Sequence, residues 1–233
     1  MKQIVFLGSP NYEHMNNRTI ENYLKNIYHI SEGNSKLISN KEIAKKMDIS
    51  PSSVTEALRK LSALHYIIYE KSYGIRLTSE GLTLALGIIR RHRIWETFLV
   101  NELGFGWEEV HEIAEELEHV KNDKLINRLA GILGNPIYDP HGDPIPDEYG
   151  NIEKSNFIKL SESKIDQEYL IKGVTDHTIP FLKYLEKQQL TLGIIVKIKG
   201  IEEFDHSILI DCRKKEISIS LKVAENIIVQ ERN

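Results

Sequence analysis

The first part of the chain carries apolar residues at helical spacing in three short blocks. Apolar positions recur every three or four residues across 20–30, and Gly33 ends the pattern. Ser39 precedes the second block and Glu42 follows three residues later, which is the arrangement of a capping box. Pro51 suits the first turn of the third block, whose apolar residues share one face. The pattern predicts a helix followed by a helix-turn-helix.

Two β-rich runs and a long amphipathic run come next. Residues 66–70 and 74–78 are rich in β-branched and aromatic side chains, and Gly74 can adopt a positive φ between them. They predict a hairpin that completes a winged helix. Ser79 is then expected to cap a long helix over about 80–103.

The rest of the chain changes character twice. Helical patterns at 107–120 and 123–133 predict a helical segment, and the Pro-, Gly- and Asp-rich stretch 135–150 predicts a loop or linker. Short β-rich runs then predict a small β-barrel in the C-terminal third. These runs are 192–198, 207–210 and 216–221.

These elements together predict a mainly α fold with β structure. We expect four segments, which are an N-terminal extension at 1–17, a winged helix-turn-helix DNA-binding domain at 18–78, a helical domain with its linker loop at 79–150, and a small β-barrel domain at 151–233.

Composition narrows the class of protein. The 41% hydrophobic and 27% charged content is ordinary for a globular protein, and no apolar run approaches the roughly 18 residues of a membrane span. We therefore expect no membrane partner. The single cysteine, Cys212, excludes an intramolecular disulfide and a multi-cysteine zinc site, and it fits a cytoplasmic protein. Any bound metal must be held by histidines and carboxylates.

The net charge of −4 hides an asymmetry along the chain. Residues 18–78 carry ten Lys and Arg against six Asp and Glu, a net charge of +4. The predicted winged helix is therefore suited to face phosphate.

Two sets of His and Glu recur at helical spacing in the helical segment. His92 and Glu96 are four residues apart, which places them on one helical face. Carboxylates that crowd together repel one another, and a divalent cation converts that repulsion into coordination. A solvated face with structural histidines is the alternative that the spacing leaves open. The second set, at i, i+4, i+7 and i+8, is His111, Glu115, Glu118 and His119.

Six short strings mark the chain from 19 to 146. Their order resembles that of the diphtheria toxin repressor family of metal-activated repressors, including its manganese-sensing members. The resemblance implies an SH3-like (FeoA-like) C-terminal domain, a homodimer, a double-stranded DNA operator and no enzymatic activity. The strings are ENYLKNIY (21–28), PSSVT (51–55), LTSEG (77–81), RHRIWE (91–96), VHEIAEELEH (110–119) and PHGDPIP (140–146).

The resemblance implies two metal sites. Asn22 stands where family members usually place Asp or Met, and Lys25 stands where binuclear manganese sensors have a carboxylate, which argues against a closely coupled metal pair. The implied primary site comprises Asn22, Glu115, Glu118 and His119, with His92 as a further candidate. The implied second site comprises Glu96, Asp139, His141 and, from the C-terminal domain, Asp176.

The ligand types bear on the identity of the metal. Glu115 stands where iron-sensing relatives have Cys, and a set of oxygen and imidazole ligands suits Mn²⁺, with Fe²⁺ as the alternative. Zn²⁺, Co²⁺ and Ni²⁺ are expected to bind in vitro, because nitrogen and oxygen ligands generally bind these ions more tightly than Mn²⁺ or Fe²⁺. The residues leave the physiological metal open.

The recognition helix is expected to enter the major groove by its N-terminal end. Candidate contacts there are Ser50, Pro51, Ser52, Ser53, Thr55 and Glu56. Candidate phosphate contacts are Arg59, Lys60, Lys71, Tyr73 and Arg76. Pro51 also has an ordinary role as the first residue of a helix, and each basic side chain has the alternative of simple solvation.

Two other classes of protein remain as alternatives. A metallohydrolase also uses His and Glu, but the sequence contains no HExxH, P-loop or nucleophile elbow. A winged-helix regulator of an organic ligand would leave the His and Glu faces unexplained. We therefore predict a metal-activated transcriptional repressor of manganese or iron homeostasis genes, and not an enzyme.

Overall fold

The computed structural model describes residues 16–70 and 74–232. They form two compact units, which divide between Ile88 and Ile89 inside one long helix. The N-terminal unit has the predicted order of a winged helix, with a helix, a helix-turn-helix and a hairpin. Its elements are α1 (Asn17–Ile30), α2 (Asn40–Met47), α3 (Pro51–Ala63), β1 (Ile67–Glu70), β2 (Gly74–Leu77) and the start of α4 (Ser79–Asn101).

The helix-turn-helix begins where the sequence predicts. The Ser39 hydroxyl accepts a hydrogen bond from the Glu42 amide, and the Glu42 carboxylate accepts one from the Ser39 amide, so the capping box is formed. Pro51 opens α3, and the Ser50 hydroxyl caps that helix. Leu24, Ile43 and Leu58 lie in one buried core beneath these helices. This core fixes α3, the predicted recognition helix, against α1 and α2.

The cap of α4 differs from the prediction. The Thr78 hydroxyl, and not Ser79, accepts the hydrogen bond from the Gly81 amide, and Ser79 is the first residue of the helix. Gly81 is required here because a Cβ atom would lie 1.9 Å from the Tyr66 carbonyl oxygen. The first turn of α4 therefore lies directly against the backbone that leads into the hairpin.

The C-terminal unit continues α4 and adds α5 (Val110–Leu117) and α6 (Asp123–Ile132). The predicted helix 107–120 is wrong in its length, because α5 is shorter at both ends. Trp107 packs instead against the core of the C-terminal sheet. Glu118 is the C-terminal cap of α5, so Glu118 and His119 lie beyond the helix on which their spacing was interpreted.

The end of the chain forms a mainly antiparallel β domain, as predicted. In the described residues its strand order is β3-β8-β4-β5-β6-β7. The run 192–198 is wrong at its start, since β5 begins only at Ile195. The elements are β3 (Ile158–Lys159), β4 (Glu168–Val174), α7 (Ile179–Gln188), β5 (Ile195–Ile201), β6 (Ile208–Cys212), β7 (Lys215–Ile219), α8 (Leu221–Ala224) and β8 (Ile227–Glu231), with a 3₁₀ turn at Leu160–Glu162.

Candidate metal centre

Glu96 is a buried carboxylate surrounded by three imidazoles. Its side chain is 2% exposed on α4. Its Oε1 lies 3.0 Å from His92 Nε2 and 3.2 Å from His111 Nδ1, and its Oε2 lies 3.6 Å from His141 Nδ1. Two overlapping groups of ligand atoms, each within 4.8 Å, therefore share Glu96. They are His92, Glu96 and His111, and Glu96, Asp139 and His141.

The linker loop supplies two of these residues through a tight turn. Asp139 Oδ1 accepts hydrogen bonds from the amides of His141, at 2.8 Å, and Asp143, at 3.0 Å. Gly142 closes the turn with a φ of +88°, a conformation that side chains rarely adopt. The turn fixes Asp139 and His141 relative to each other before any metal binds.

Burial and neighbouring charges shift the pKa values in this cluster. Burial raises the pKa of Glu96, but its contacts with His111, His141 and His92 outweigh burial and hold that pKa well below its usual range. Burial, helped by the charges of Asp143 and Glu96, raises the pKa of Asp139 to about 8. Burial lowers the pKa of His141, but Glu96 and Asp139 outweigh it and raise that pKa to about 8.

His141 shows that the cluster fits a metal ion. Its Nε2 donates to the Trp107 carbonyl at 2.8 Å, while its buried Nδ1 has no hydrogen-bond partner and faces Glu96. Ligating histidines commonly anchor one ring nitrogen on a backbone carbonyl and present the other to the metal. Imidazole nitrogens and carboxylate oxygens are a donor set for a divalent transition metal.

The remaining predicted ligands of the C-terminal unit lie beside this cluster. Glu118 is fully buried, and its Oε2 lies 2.7 Å from His92 Nδ1. His119 Nε2 lies 3.9 Å from Glu118 Oε1, and Glu115 Oε1 lies 3.6 Å from His111 Nε2. The two predicted ligand sets are thus joined through His92 and His111. Asn22 belongs to α1 in the N-terminal unit, and its role as a ligand stays a prediction.

Three segments of the chain match family models. Residues 15–75 match the iron dependent repressor N-terminal DNA binding domain, 78–147 its metal binding and dimerisation domain, and 158–231 the FeoA domain. The iron-dependent repressor IdeR of Mycobacterium tuberculosis is 32% identical over 169 residues, which cover 68% of this chain and 73% of that protein. The chain belongs to the iron-dependent repressor family. The predicted kinship with the diphtheria toxin repressor, and the prediction that the chain is not an enzyme, are confirmed.

Solved structures of this repressor family resemble the chain over most of its length. A manganese-dependent transcriptional repressor in complex with manganese has a TM-score of 0.82 and 31% identity, covering 91% of this chain and all of that one. ScaR with bound Zn²⁺ has a TM-score of 0.75 and 35% identity, covering 91% of this chain and 99% of that one. These likenesses confirm the predicted domain types. Among the described residues, no helix is both long and apolar enough to cross a membrane.

Asp176 was the predicted ligand from the C-terminal domain, but its neighbour His177 makes the contacts with the linker loop. Asp176 Oδ1 accepts from the Thr178 amide just before α7, and Asp176 is in neither group of clustered ligand atoms. The His177 ring stacks on His141 at a centroid distance of 4.7 Å, and its Nε2 lies 3.9 Å from Asp143 Oδ2. The sequence carried no spacing signal for His177, because only the fold brings it to the linker loop.

In the segment that matches the DNA-binding domain, small hydroxyl side chains lie at the start of α3. Ser50 Oγ lies 2.8 Å from Ser52 Oγ and 2.9 Å from Ser53 Oγ, and Pro51 and these serines are exposed. Thr55 Oγ1 donates to the Pro51 carbonyl. Further along the helix, Glu56 pairs with Lys60 at 2.9 Å, and Arg59 is exposed. Arg76 is exposed on β2, whereas Lys71 and Tyr73 lie outside the described residues.

Proposed function

We propose that the protein is a cytoplasmic, homodimeric repressor that binds operator DNA when Mn²⁺, or alternatively Fe²⁺, occupies the centre at Glu96. The observation that carries the proposal is the buried Glu96 carboxylate with three imidazoles around it, one of which, His141, turns its buried Nδ1 toward Glu96 at 3.6 Å without a hydrogen bond. A purely structural histidine cluster would be expected to satisfy that buried nitrogen. The domain models matched by the chain supply the DNA-binding and dimerisation components.

The donor atoms of the centre support Mn²⁺ or Fe²⁺. The residues that would hold the ion offer only nitrogen and oxygen, and the one cysteine, Cys212, lies in β6 of the sheet. A bound divalent ion would supply positive charge that neutralises the clustered carboxylates. Mn²⁺ and Fe²⁺ have similar preferences for nitrogen and oxygen ligands, so the ion that is more available in the cell is expected to occupy the site. The residues of this second site are Glu96, Asp139 and His141, with His92 and His111 adjoining and Asp176 as a proposed further ligand.

The primary site is proposed from the neighbouring ligands. Glu118 is buried, and its Oε2 lies 2.7 Å from His92 Nδ1, so an ion that binds this oxygen competes with that contact. Glu115 and His119 flank it in the chain, and Asn22 is retained as a proposed ligand from the family resemblance. A metal ion shifts the repressor toward whichever state offers it the better set of ligands. We propose that this state is the one that binds DNA.

The dimer face is proposed from exposed apolar side chains in the segment that matches the dimerisation domain. Ile132 on α6 is 67% exposed, and Leu103 just after α4 is 56% exposed. Leu125 on α6 is exposed as well. Burial of such exposed apolar side chains against a second copy of the chain would stabilise a dimer.

Operator contact is proposed for the N-terminal end of α3 and for the basic side chains beyond it. The exposed serines Ser50, Ser52 and Ser53 are suited to phosphate oxygens and base edges. Pro51, Thr55 and Glu56 lie among them. Arg59, Lys60 and Arg76, with Lys71 and Tyr73, are the proposed phosphate contacts.

Metal-dependent DNA binding is the test of this function. Duplexes selected from a random pool in Mn²⁺ would be titrated with the full chain by fluorescence anisotropy, with Mn²⁺ and with excess chelator. We expect tight binding in Mn²⁺, loss of that binding on chelation, and a weakened metal response in Glu96→Gln. Equal binding in chelator would contradict metal activation and favour the organic-ligand regulator.

A further inference from the structure

Arg93 is a buried arginine that none of the ligand predictions used. It lies on α4, three residues before Glu96, and its side chain is 9% exposed. Its Nε lies 3.6 Å from Asp139 Oδ2, and its Nη2 lies 3.2 Å from Asp143 Oδ2. Its Nη1 donates to the Pro144 carbonyl. One guanidinium therefore contacts three residues of the linker loop.

The geometry of arginine explains why this residue type is needed. A guanidinium is planar and holds its donors in a fixed fork, whereas a lysine ammonium is a single point charge. Asp139 Oδ1 already accepts two backbone amides, so Oδ2 is the oxygen that faces Arg93. Both carboxylate oxygens of Asp139 are thereby held by groups that are not themselves candidate ligands. Such outer contacts fix the direction in which a ligating carboxylate presents its free lone pair.

The guanidinium also compensates charge in the loop. It places one positive charge beside the carboxylates of Asp139 and Asp143. Buried charge is costly unless it is compensated, so this contact favours the ionised form of Asp139 that a metal ion requires.

We propose that Arg93 is a positioning residue of the metal centre, whose guanidinium holds Asp139, and with it His141, in the arrangement that receives a divalent ion. This inference rests on the proposed function, because it requires an ion at Glu96, Asp139 and His141. Loss of an outer partner of a metal ligand typically weakens metal binding by about 10–100-fold. Arg93 acts through Asp139 and does not itself bind the ion.

The test compares Arg93→Lys with Arg90→Lys, each in the whole 233-residue chain. Both changes keep the positive charge and remove a guanidinium fork. Arg90 is a matched control because its Nη1 donates to the Pro146 carbonyl at 2.8 Å and its Nη2 to Asn127 Oδ1, with no contact to the ligand carboxylates. Calorimetric titration with Mn²⁺, the absorption spectrum with Co²⁺ and thermal unfolding of the metal-free protein would be measured for each variant.

We expect Arg93→Lys to weaken Mn²⁺ binding at this centre by about 10–100-fold and to alter the Co²⁺ spectrum. Arg90→Lys is expected to leave both nearly unchanged. If Mn²⁺ affinity falls equally in the two variants, Arg93 only attaches the loop to α4, as Arg90 does, and the proposal is overturned. Parental affinity and spectrum in Arg93→Lys would overturn it too.

A second variant covers the case in which Arg93→Lys fails to fold. Asp143→Asn removes the other carboxylate partner of Arg93 at a partly exposed position, so the fold is expected to survive. We expect an altered Co²⁺ spectrum in Asp143→Asn, because the spectrum reports the ligand geometry and not the proton competition that Asp143 adds by raising the pKa of Asp139. A parental spectrum in Asp143→Asn would overturn the positioning role. Failure of the proposed function gives a different result. If no ion binds at this centre, the parent protein and Glu96→Gln will bind Mn²⁺ equally.

Discussion

His92 is the side chain that touches both buried glutamates of the centre. Its Nδ1 lies 2.7 Å from Glu118 Oε2 and its Nε2 lies 3.0 Å from Glu96 Oε1. The two ring nitrogens of His92 thus link the two buried glutamates. An ion that binds either glutamate removes one of the two contacts that hold the ring.

Metal binding at the centre is predicted to depend on pH. The pKa values of His141 and Asp139 are both raised to about 8, above their ordinary values. Both groups therefore hold protons at pH 7, and a metal ion must displace them because ligands bind in the deprotonated form. We expect Mn²⁺ affinity to rise between pH 6.5 and 8.5, by up to about tenfold per pH unit for each proton displaced.

Calorimetry in two buffers of different ionisation enthalpy would count the protons released at pH 7. The His141→Ala variant is the control, since it removes one of the two protons and is expected to flatten the pH dependence. Proton release of zero, with affinity independent of pH across this range, would contradict the prediction.

Some residues of the centre could be predicted from the sequence, and others are visible only in the structure. Glu96, Asp139 and His141 follow from the family resemblance, and the structure brings their ligand atoms together. Arg93 and His177 could not be predicted, because the loop carboxylates that they contact are at least 46 and 34 positions away in the chain, respectively. Such contacts depend on tertiary packing, which leaves no periodic signal in one sequence.

The start of α4 is the element whose position depends most directly on one residue. Gly81 lies against the Tyr66 carbonyl so closely that no side chain fits. The Thr78 hydroxyl caps the helix and also donates to the His65 carbonyl. The first turn of α4 is thereby fixed to the segment that enters the hairpin.

Gly81→Ala is predicted to destabilise the N-terminal unit. The added Cβ would lie 1.9 Å from a backbone oxygen, so the helix must shift, at a cost of about 1–3 kcal/mol that exceeds the gain in helix propensity of about 1 kcal/mol. Urea unfolding followed by circular dichroism measures the change.

Gly131→Ala on α6 is the matched control, because its Cβ would have no neighbour within 4 Å. That variant is expected to gain up to about 1 kcal/mol of stability from helix propensity. Equal stability in the two variants would mean that the contact at Gly81 imposes no strain.

The elements were predicted unevenly, and the reason is physical. Local signals such as the capping box at Ser39 and the proline at 51 gave correct starts for α2 and α3. The 107–120 helix was too long, because Trp107 leaves the helical pattern to pack on the sheet core. The strands β4 and β8 were missed, since their pairing joins segments that are far apart in the chain.

The linker loop and the C-terminal sheet are in backbone contact within the C-terminal unit. The Val174 amide at the end of β4 donates a hydrogen bond to the His141 carbonyl at 2.9 Å, which joins the strand to the loop. Gly142 and Gly173 lie face to face, and a Cβ on Gly142 would lie 2.0 Å from the Lys172 carbonyl oxygen. The ligand loop and the sheet are therefore mechanically coupled through His141.

Gly173→Ala is predicted to weaken both stability and metal binding. Its Cβ would lie 2.9 Å from the His141 carbonyl oxygen, so the loop must move at a cost of about 1–3 kcal/mol. The measurements are thermal unfolding, Mn²⁺ titration and hydrogen exchange of the loop amides.

Gly200→Ala on β5 is the control, since its Cβ would meet nothing within 4 Å. It is expected to retain parental metal affinity and loop protection. Unchanged metal affinity in Gly173→Ala, despite a loosened loop, would show that the sheet does not support the ligands.

The lone cysteine has a consequence for oxidative conditions. Cys212 is buried in β6, and burial raises the pKa of its thiol, so little reactive thiolate forms. Oxidants such as hydrogen peroxide act first on exposed, low-pKa thiolates, which the candidate ligands do not include. A sensor whose ligands are thiolates loses its metal when those sulfurs are oxidised. A centre built from imidazole and carboxylate that holds Mn²⁺ has no thiolate to lose in this way.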